Sequence, residues 1–511
     1  MDQFYMATLS ISILAISITI CLIKTSLQSG PKTPPLPPGP QGLPILGYLP
    51  FLSKNMHHQF TDLAHKYGPI FKLYLGTKLC VVISSPSLVK EIVRDQDAIF
   101  ANRDVPIAAY IFSYGANDIA WSPQNSQWRS MRKVFVQEML NNKSLEASLG
   151  LRRDEIRKVI KDVYSTNLGK PIYFGELPFR TQLNVVVNML WGGIIEGEEG
   201  ERIKGDSRAV ISKIIDLLGK PNVSDFYPGL AWLDIQGVKK EMESCVESVD
   251  RIFDAVIDEY KPKLRGEIKS EGKKDFLQIL LELMEKGDSE MSITLTQLKA
   301  LLMDMVVAGT DTTATTIEWA MAELMNNPEV MAKAQTELSN VVGLDNIIEE
   351  CHLSELKYLE AIIKETLRLH PAAPLLVPKC PVQSSIVGGY TIPQDSKVFI
   401  NVSSIQTDPS IWENPMEFKP ERFLDDNEKC DLRGNNFNYL PFGSGRRICP
   451  GLPLAERMSM YFLASLIHSF EWKLPNGEKL DMSGTFGIVL RKSTPLVATP
   501  SPRLSDSKLY M

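Results

Sequence analysis

The sequence predicts a mainly α-helical fold with a small β region, and three observations carry that expectation. Residues Leu298 to Met325 form the longest strongly helical run. The stretch from about Asn142 to Met284 also follows helical spacing, with breaks at Pro171, Pro178, Pro221 and Pro228. Strand patterns are few and short. Tyr67–Gly76 and Leu79–Ser84 flank Gly76–Thr77 as a hairpin, and Gly388–Pro393 reads as a second. The chain has 511 residues and a net charge of -6, which argues against a general nucleic-acid binder. No Pro/Gly/Ser-rich linker divides the interior, and no internal repeat is present. Lys261 to Lys274 reads as one surface loop between helices.

Taken in order, Phe4 to Ile23 carries no charge. At ~1.5 Å per residue it would span ~30 Å, the thickness of a bilayer core. A cleaved signal peptide would want a basic start and a shorter apolar core, yet Asp2 is the only early charge. The expectation is a retained transmembrane anchor over 4–23. Lys24 and Lys32 follow it, which places the remainder in the cytosol. Residues 24–45 hold Pro34-Pro35-Leu36-Pro37-Pro38-Gly39-Pro40, a stiff extended hinge. The seven cysteines are scattered and show no C-x-x-C spacing, so a zinc site or disulfide framework is not expected.

Ser87 to Asp95 reads as a short helix. Arg103 to Trp121, with Tyr110 and Phe112, is apolar without a clear period, and such a segment either lines a cavity or is a partly buried connection. Trp128 and Arg132 lie four apart on an expected helix and share a face, where both could reach an anion; a Trp-Arg stack is also a frequent surface feature. Inside the long helix stands Ala308-Gly309-Thr310-Asp311-Thr312-Thr313. Glycine in a helix interior costs roughly 1 kcal/mol, and such a violation is expected at functional sites. A threonine hydroxyl there can open a small groove, and Asp311 and Thr312 could relay protons. The alternative is a bent polar helix. Tyr358 to His370 is another helix, with Glu365 and Arg368 on one face; Arg422, in Pro420-Glu421-Arg422-Phe423, could complete a Glu-Arg-Arg network. An exposed pair worth ~0.5 kcal/mol or less is the alternative.

The chemistry concentrates in Pro441-Phe442-Gly443-Ser444-Gly445-Arg446-Arg447-Ile448-Cys449-Pro450-Gly451. A thiolate beside N–H donors and a guanidinium stays deprotonated and binds metal. A haem iron held by one cysteine fits, with Phe442 against the sulfur and Arg447 on a haem propionate. Gly451 allows a helix to start tightly, continuing through Leu452, Leu454, Ala455, Met458 and Leu463. Cys449 could instead be a buried structural thiol. A dinucleotide fingerprint fails because Ile448 stands at the third glycine, and the spacing is too short for a nucleophile elbow.

The pattern Phe-x-x-Gly-x-Arg-x-Cys-x-Gly resembles the haem-binding loop of cytochromes P450. The proline hinge, Trp-x-x-x-Arg, Gly-x-Asp-Thr-Thr and Glu-x-x-Arg with Pro-Glu-Arg-Phe precede it in that family's order, so the resemblance covers the chain from the anchor to Leu490. The details are similar to plant microsomal members, the group of terpenoid and flavonoid hydroxylases. The resemblance implies the P450 fold over 46–500 and haem b with Cys449 as axial iron ligand. Trp128, Arg132, Arg447 and, in place of the more frequent Arg or His, Lys379 would meet the propionates. Ser403 and Thr407 also depart from the family's usual Trp and Arg or His. Asp311 and Thr312 would deliver protons, while Glu365, Arg368 and Arg422 would hold the cysteine loop. Residues 142–284 would roof the pocket, and Ala372–Pro378 would lie as a strand beside the haem. Candidate pocket residues are Tyr110, Phe112, Val307, Ala308, Leu376, Val377 and Ile488.

The function implied is a monooxygenase that hydroxylates a small apolar metabolite with O2. No flavin or nicotinamide motif is present, so electrons would come from NADPH–cytochrome P450 reductase at the endoplasmic reticulum membrane. Arg132, Lys133, Arg433, Arg446 and Arg457 could form its docking face. Two other readings stand beside it: a P450-type isomerase or dehydratase that does not use O2, and a haem-binding sensor without turnover.

Overall fold

The longest helical pattern becomes the axis around which the other elements pack. The protein is described here from a computed structural model covering residues 34–193, 198–264, 274–285, 292–424, 430–475 and 479–511. The expected anchor over 4–23, the first part of the hinge and most of the loop expected after Lys261 lie outside these residues. Among the described residues no helix is long and apolar enough to cross a membrane.

Five helices position the site: α1 (Ser126–Val134), α2 (Glu176–Trp191), α3 (Leu295–Asn326), α4 (Lys357–Leu369) and α5 (Leu452–Ser469). Helix α3 starts before Leu298 because Thr294 and Gln297 form a reciprocal cap. The Thr294 hydroxyl accepts the Gln297 N–H at 3.2 Å, and the Gln297 side chain accepts the Thr294 N–H at 2.9 Å. Most side chains of α3 are buried. That explains its weak amphipathic pattern, since it is surrounded by protein on all sides. One apolar cluster lies on its N-terminal half, against α2 and the helix Val238–Leu264; a second lies on its C-terminal half, against α4 and α5.

The β region is a twisted edge. Strands β1 (Ile70–Leu75), β2 (Lys78–Ile83), β3 (Asn102–Arg103), β4 (Lys379–Cys380) and β5 (Lys397–Ile400) make one sheet in the order β1-β2-β5-β4-β3. The expected hairpin pairs Ile70 with Ile83. The register that matters most sets Arg103 opposite Lys379 on β3 and β4, bringing two cations to one sheet edge. The second hairpin pairs Ser385–Val387 with Tyr390–Ile392. Ala372–Pro378, expected as a strand, is irregular, and Leu376 takes a left-handed φ of 50°. The described part of the proline hinge is pinned, not free. The Pro38 carbonyl accepts the Lys72 N–H at 2.8 Å, the Pro35 carbonyl accepts that of Thr391 at 2.9 Å, and a side chain at Gly39 would collide with the Lys72 carbonyl.

Between β3 and α1, the segment expected to be irregular folds into a short helix, Ile107–Phe112. It buries Ala108, Ala109 and Phe112 and leaves Tyr110 53% exposed. Ser87–Asp95 is helical as Pro86–Lys90 followed by a wider turn, Glu91–Asp95.

Glu365 and Arg368 of α4 are fully buried and bonded twice, at 2.7 and 2.9 Å. Glu365 also accepts from Arg422 Nε at 3.0 Å and from the Lys419 N–H at 2.9 Å. Arg368 donates to the carbonyls of Gln406 and Pro415 at 2.8 and 2.7 Å. Removing one partner of such a network leaves an uncompensated buried charge. Glu365→Ala should therefore lower folding stability by about 3–5 kcal/mol, read by urea unfolding. Unchanged stability would show that the network is not structural.

Candidate active site

The cysteine loop is built by backbone geometry that its glycines permit. Gly443 and Gly445 both take φ of +72°, and a Cβ at Gly445 would come within 2.5 Å of the Val93 carbonyl. Asp97 fixes the loop from outside, accepting the Arg446 N–H at 3.0 Å and its Nε at 2.8 Å. The Cys449 N–H closes the loop on the Phe442 carbonyl at 3.0 Å. Gly451 then caps α5, and a Cβ there would sit only 3.7 Å from Cys449 Sγ. Burial pushes the Cys449 thiol up, while the N–H groups of Gly451 and Leu452 and the Arg132 charge act the other way.

Cys449 opens onto a cavity of about 310 Å³. Ala308, Gly309, Thr312 and Thr313 of α3 line it, as do Phe442 and the irregular stretch with Leu376 and Val377. Gly309 is not demanded by helix packing. A Cβ there would meet Val186 and Met305 at ordinary contact distances of 3.5 and 3.7 Å, so the residue bears on the cavity. The Thr312 hydroxyl donates to the Ala308 carbonyl at 2.6 Å, and that of Thr316 to the Thr312 carbonyl at 3.0 Å.

Several expected residues stand elsewhere. Asp311 does not line the cavity. It is 5% exposed and held bidentately by Arg491 at 2.8 and 3.0 Å. Burial raises its carboxyl and Arg491 opposes that rise. Val307 is buried in the α2–α3 cluster because its position on α3 faces away from Ala308, and Phe112 is buried in the same cluster. Ile488 packs against that cluster, and Tyr110 faces outward; none of these four lines the cavity. Trp128 gives its indole N–H to the Ile119 carbonyl at 3.0 Å, and Arg132 donates to the Ile448 carbonyl at 2.5 Å. Arg447 donates to the carbonyls of Ala101, Ile119 and Ser122 at 2.7, 2.9 and 2.6 Å and lies over the Trp128 ring at 4.1 Å. These three side chains thus clamp the cysteine loop onto α1 and the segment before it, with Arg132 and Arg447 also on the cavity wall. Ser403 and Thr407 belong to the short helix Val402–Gln406 and its cap, away from the cavity wall.

A haem fits what remains. A flat apolar macrocycle suits the aliphatic walls, its iron suits Cys449, and its propionates need cations. Lys379 is 4% exposed on the cavity wall, and among the described residues its ammonium has no hydrogen-bond partner. Burial, with the neighbouring Arg103, lowers it to about 7. An anion at this edge would satisfy it.

Sequence reasoning missed a buried carboxyl pair, of which Asp304 lines the wall. Asp304 of α3 accepts the Ile119 N–H at 2.8 Å, and Asp118 accepts those of Trp121 and Ser122 at 2.8 and 3.0 Å. The two carboxyls face each other, so one keeps a proton. Burial and then the Asp118 charge hold Asp304 well above the usual range, and burial pushes Asp118 up to about 6. Their separation in sequence hid the pair. Since both folded values are raised, the stability they contribute is full below about pH 4 and is lost as pH rises through about 6 and beyond. Asp304→Asn should flatten that decline, gaining on the order of 1–2 kcal/mol at pH 8 relative to pH 4. Urea midpoints across the range test this, and equal slopes in both proteins would refute the shared proton.

The comparisons agree with this geometry. The cytochrome P450 family model matches residues 37–498. The chain is 39% identical to cytochrome P450 76C2 of Arabidopsis thaliana over 93% of this chain and 94% of the relative. It is 38% identical to a geraniol 8-hydroxylase of Swertia mussotii, over 92% and 94%. With a flavonoid 3'-monooxygenase of Petunia hybrida the identity is 37%, over 93% and 94%. A zebrafish cytochrome P450 structure with progesterone superposes with a TM-score of 0.74 at 25% identity, covering 88% of this chain and 99% of that one. With a loop cysteine facing a glycine- and threonine-bearing helix across a cavity that fits haem, the chain belongs to the cytochrome P450 family.

Proposed function

We propose that the protein is a haem-thiolate monooxygenase that hydroxylates a small apolar plant specialised metabolite, a terpenoid or a flavonoid. The observation that carries this reading is Thr312, a hydroxyl on the cavity wall across from Cys449. Relatives with printed activities act as hydroxylases and monooxygenases on geraniol and on flavonoids, which favours this reading over the O2-independent and non-catalytic ones.

Bound haem supplies oxygen activation, with thiolate ligation favouring O–O cleavage. The chain's own residues do the rest. Phe442 and the aliphatic walls exclude water, and Lys379 and Arg103 hold the propionate edge. The Thr312 hydroxyl passes a proton into the cavity and regains one. Asp311 contributes by anchoring α3 to Arg491.

The electron donor in this reading is NADPH–cytochrome P450 reductase. Lys133, Arg433 and Arg446 are exposed around the cysteine loop and suit an acidic partner, with Arg457 half-buried beside them. Arg132 is committed to the loop itself and leaves that set.

Placement at the endoplasmic reticulum membrane, behind an N-terminal anchor, is supported by an apolar surface. Ile45 is 79% exposed and Trp232 80%. Leu43, Leu46, Phe51, Leu230, Leu233 and Ile235 are exposed beside them in sequence. The Tyr227 hydroxyl donates to the Ile45 carbonyl at 3.0 Å, joining the two segments into one face. Exposed apolar patches of this kind mark membrane or protein contacts.

Haem-loaded protein incubated with reductase, NADPH and labelled oxygen gas, against terpenes and flavonoids, tests the reaction. One labelled oxygen per product is expected, and Thr312→Ala should cut product per NADPH by about ten-fold or more. An unlabelled rearranged product would overturn the monooxygenase reading, and unchanged coupling would remove Thr312 from it. For the membrane face, vesicles with brominated acyl chains should quench part of the tryptophan fluorescence, and that part should vanish in Trp232→Phe. Equal quenching in both would place this face away from the lipid.

A further inference from the structure

One buried side chain on the cavity wall has no part in the site as built above. Gln182 of α2 is 1% exposed and lines the cavity. Among the described residues, neither its amide nitrogen nor its carbonyl oxygen has a hydrogen-bond partner. A buried amide in that condition bears an uncompensated desolvation penalty, and such groups are normally satisfied by ordered water or by a ligand.

The packing of α2 on α3 places it. A Cβ built at Gly309 lies 3.5 Å from Val186, and one built at Gly175 lies 2.7 Å from the Glu318 carboxylate, so the two helices run antiparallel. Gln182 stands one turn from Val186 towards Gly175. It therefore faces the turn of α3 that follows Gly309, which holds Thr312 and Thr313. Thr313 and Thr316 of α3 and Ser459 of α5 line the same cavity. Three helices thus bring uncharged polar side chains to the cavity wall.

The ring edge of a macrocycle offers an amide neither a donor nor an acceptor. Water offers both. Asp311, the residue that the family resemblance would make the proton donor, has both carboxylate oxygens on Arg491, and Arg491 also donates to Asp216 at 3.0 Å. With Asp311 so held, Gln182 and Thr313 are polar groups that line the cavity along with Thr312.

We propose that Gln182 is a positioning residue that holds an ordered water against Thr313, and that this water resupplies the Thr312 hydroxyl with protons. Each proton that Thr312 passes into the cavity is replaced from the water, and the water regains one from solvent. No electrons move in this step. The inference rests on the monooxygenase reading.

The experiment compares haem-loaded wild type, Gln182→Leu and Gln182→Glu. Each is reconstituted with reductase, and product per NADPH and the solvent isotope effect on product formation are measured. The leucine variant should lose about ten-fold in product per NADPH and show an enlarged isotope effect. Its carbon monoxide spectrum and substrate affinity should be unchanged, and glutamate, which keeps hydrogen-bonding oxygens, should recover most of the loss. Coupling within about two-fold of wild type in the leucine variant would overturn the proposal. So would a loss of coupling that glutamate does not recover. Crystal structures of the same haem-loaded proteins give a readout independent of turnover. A water bonded to both Gln182 and Thr313 in the wild type, gone in the leucine variant, is expected; a Gln182 with no water on it overturns the proposal. Wild type that makes no oxygen-dependent product would sink the monooxygenase reading instead, a result distinct from either failure of Gln182.

Discussion

The position of Cys449 depends on a buried charge network that does not line the cavity. Glu365 and Arg368 are both fully buried. Arg368 donates to the Gln406 carbonyl at 2.8 Å, and the Gln406 side chain returns to α4 by donating to the carbonyls of Leu367 and Arg368 at 2.9 and 3.0 Å. The oxygen of that same side chain accepts the Leu440 N–H at 2.9 Å. The Leu440 carbonyl accepts from Gly443 at 3.0 Å, and the Phe442 carbonyl accepts from Cys449, also at 3.0 Å. A continuous hydrogen-bonded path therefore runs from the ion pair to the sulfur-bearing residue. The loop has little regular structure of its own, so part of its shape is inherited from α4 through one glutamine.

A second constraint acts from the opposite side. Arg447 and Arg132 lie over Trp128 at 4.1 and 5.7 Å, and their donors reach backbone carbonyls on both sides of the gap between α1 and the loop. Two guanidinium groups on one indole repel each other. Peptide dipoles offset that repulsion, and an anionic ligand beside them would offset more of it. The apolar cavity and the cationic edge are thus parts of one electrostatic arrangement, to which β3 and β4 add Arg103 and Lys379 by strand register.

How far the sequence could be read follows from which interactions are local. Helices α3, α4 and α5, both hairpins and the cysteine loop carry their signals within one or two turns of chain, and they were legible. Glu365, Arg368 and Arg422 were legible only as an order of motifs, and their burial appears in the fold. The pocket residues were harder. A helix side chain points into the cavity or away from it according to a rotation of about 100° per residue, so Ala308 lines the wall while Val307 does not. Tyr110 turns outward because the segment around it becomes helical instead of irregular. Asp304 with Asp118, and Asp311 with Arg491, join residues far apart in the chain, and no local pattern announces either contact.

The two faces of α3 show why the acidic residue of its motif need not be its proton donor. On the outer face, Asp311 meets Arg491, and breaking that pair would leave one charge buried without its partner. A carboxylate held by two charge-assisted hydrogen bonds is a poor shuttle, because each proton it takes up weakens the pair that holds it. On the inner face, the hydroxyls of Thr312 and Thr316 lie on backbone carbonyls, which they can leave and rejoin at small cost. Groups that exchange partners cheaply suit proton transfer, whereas groups in costly pairs suit anchoring. The helix separates the two roles by rotation about its axis, and Gln182 stands on the side where exchange is cheap.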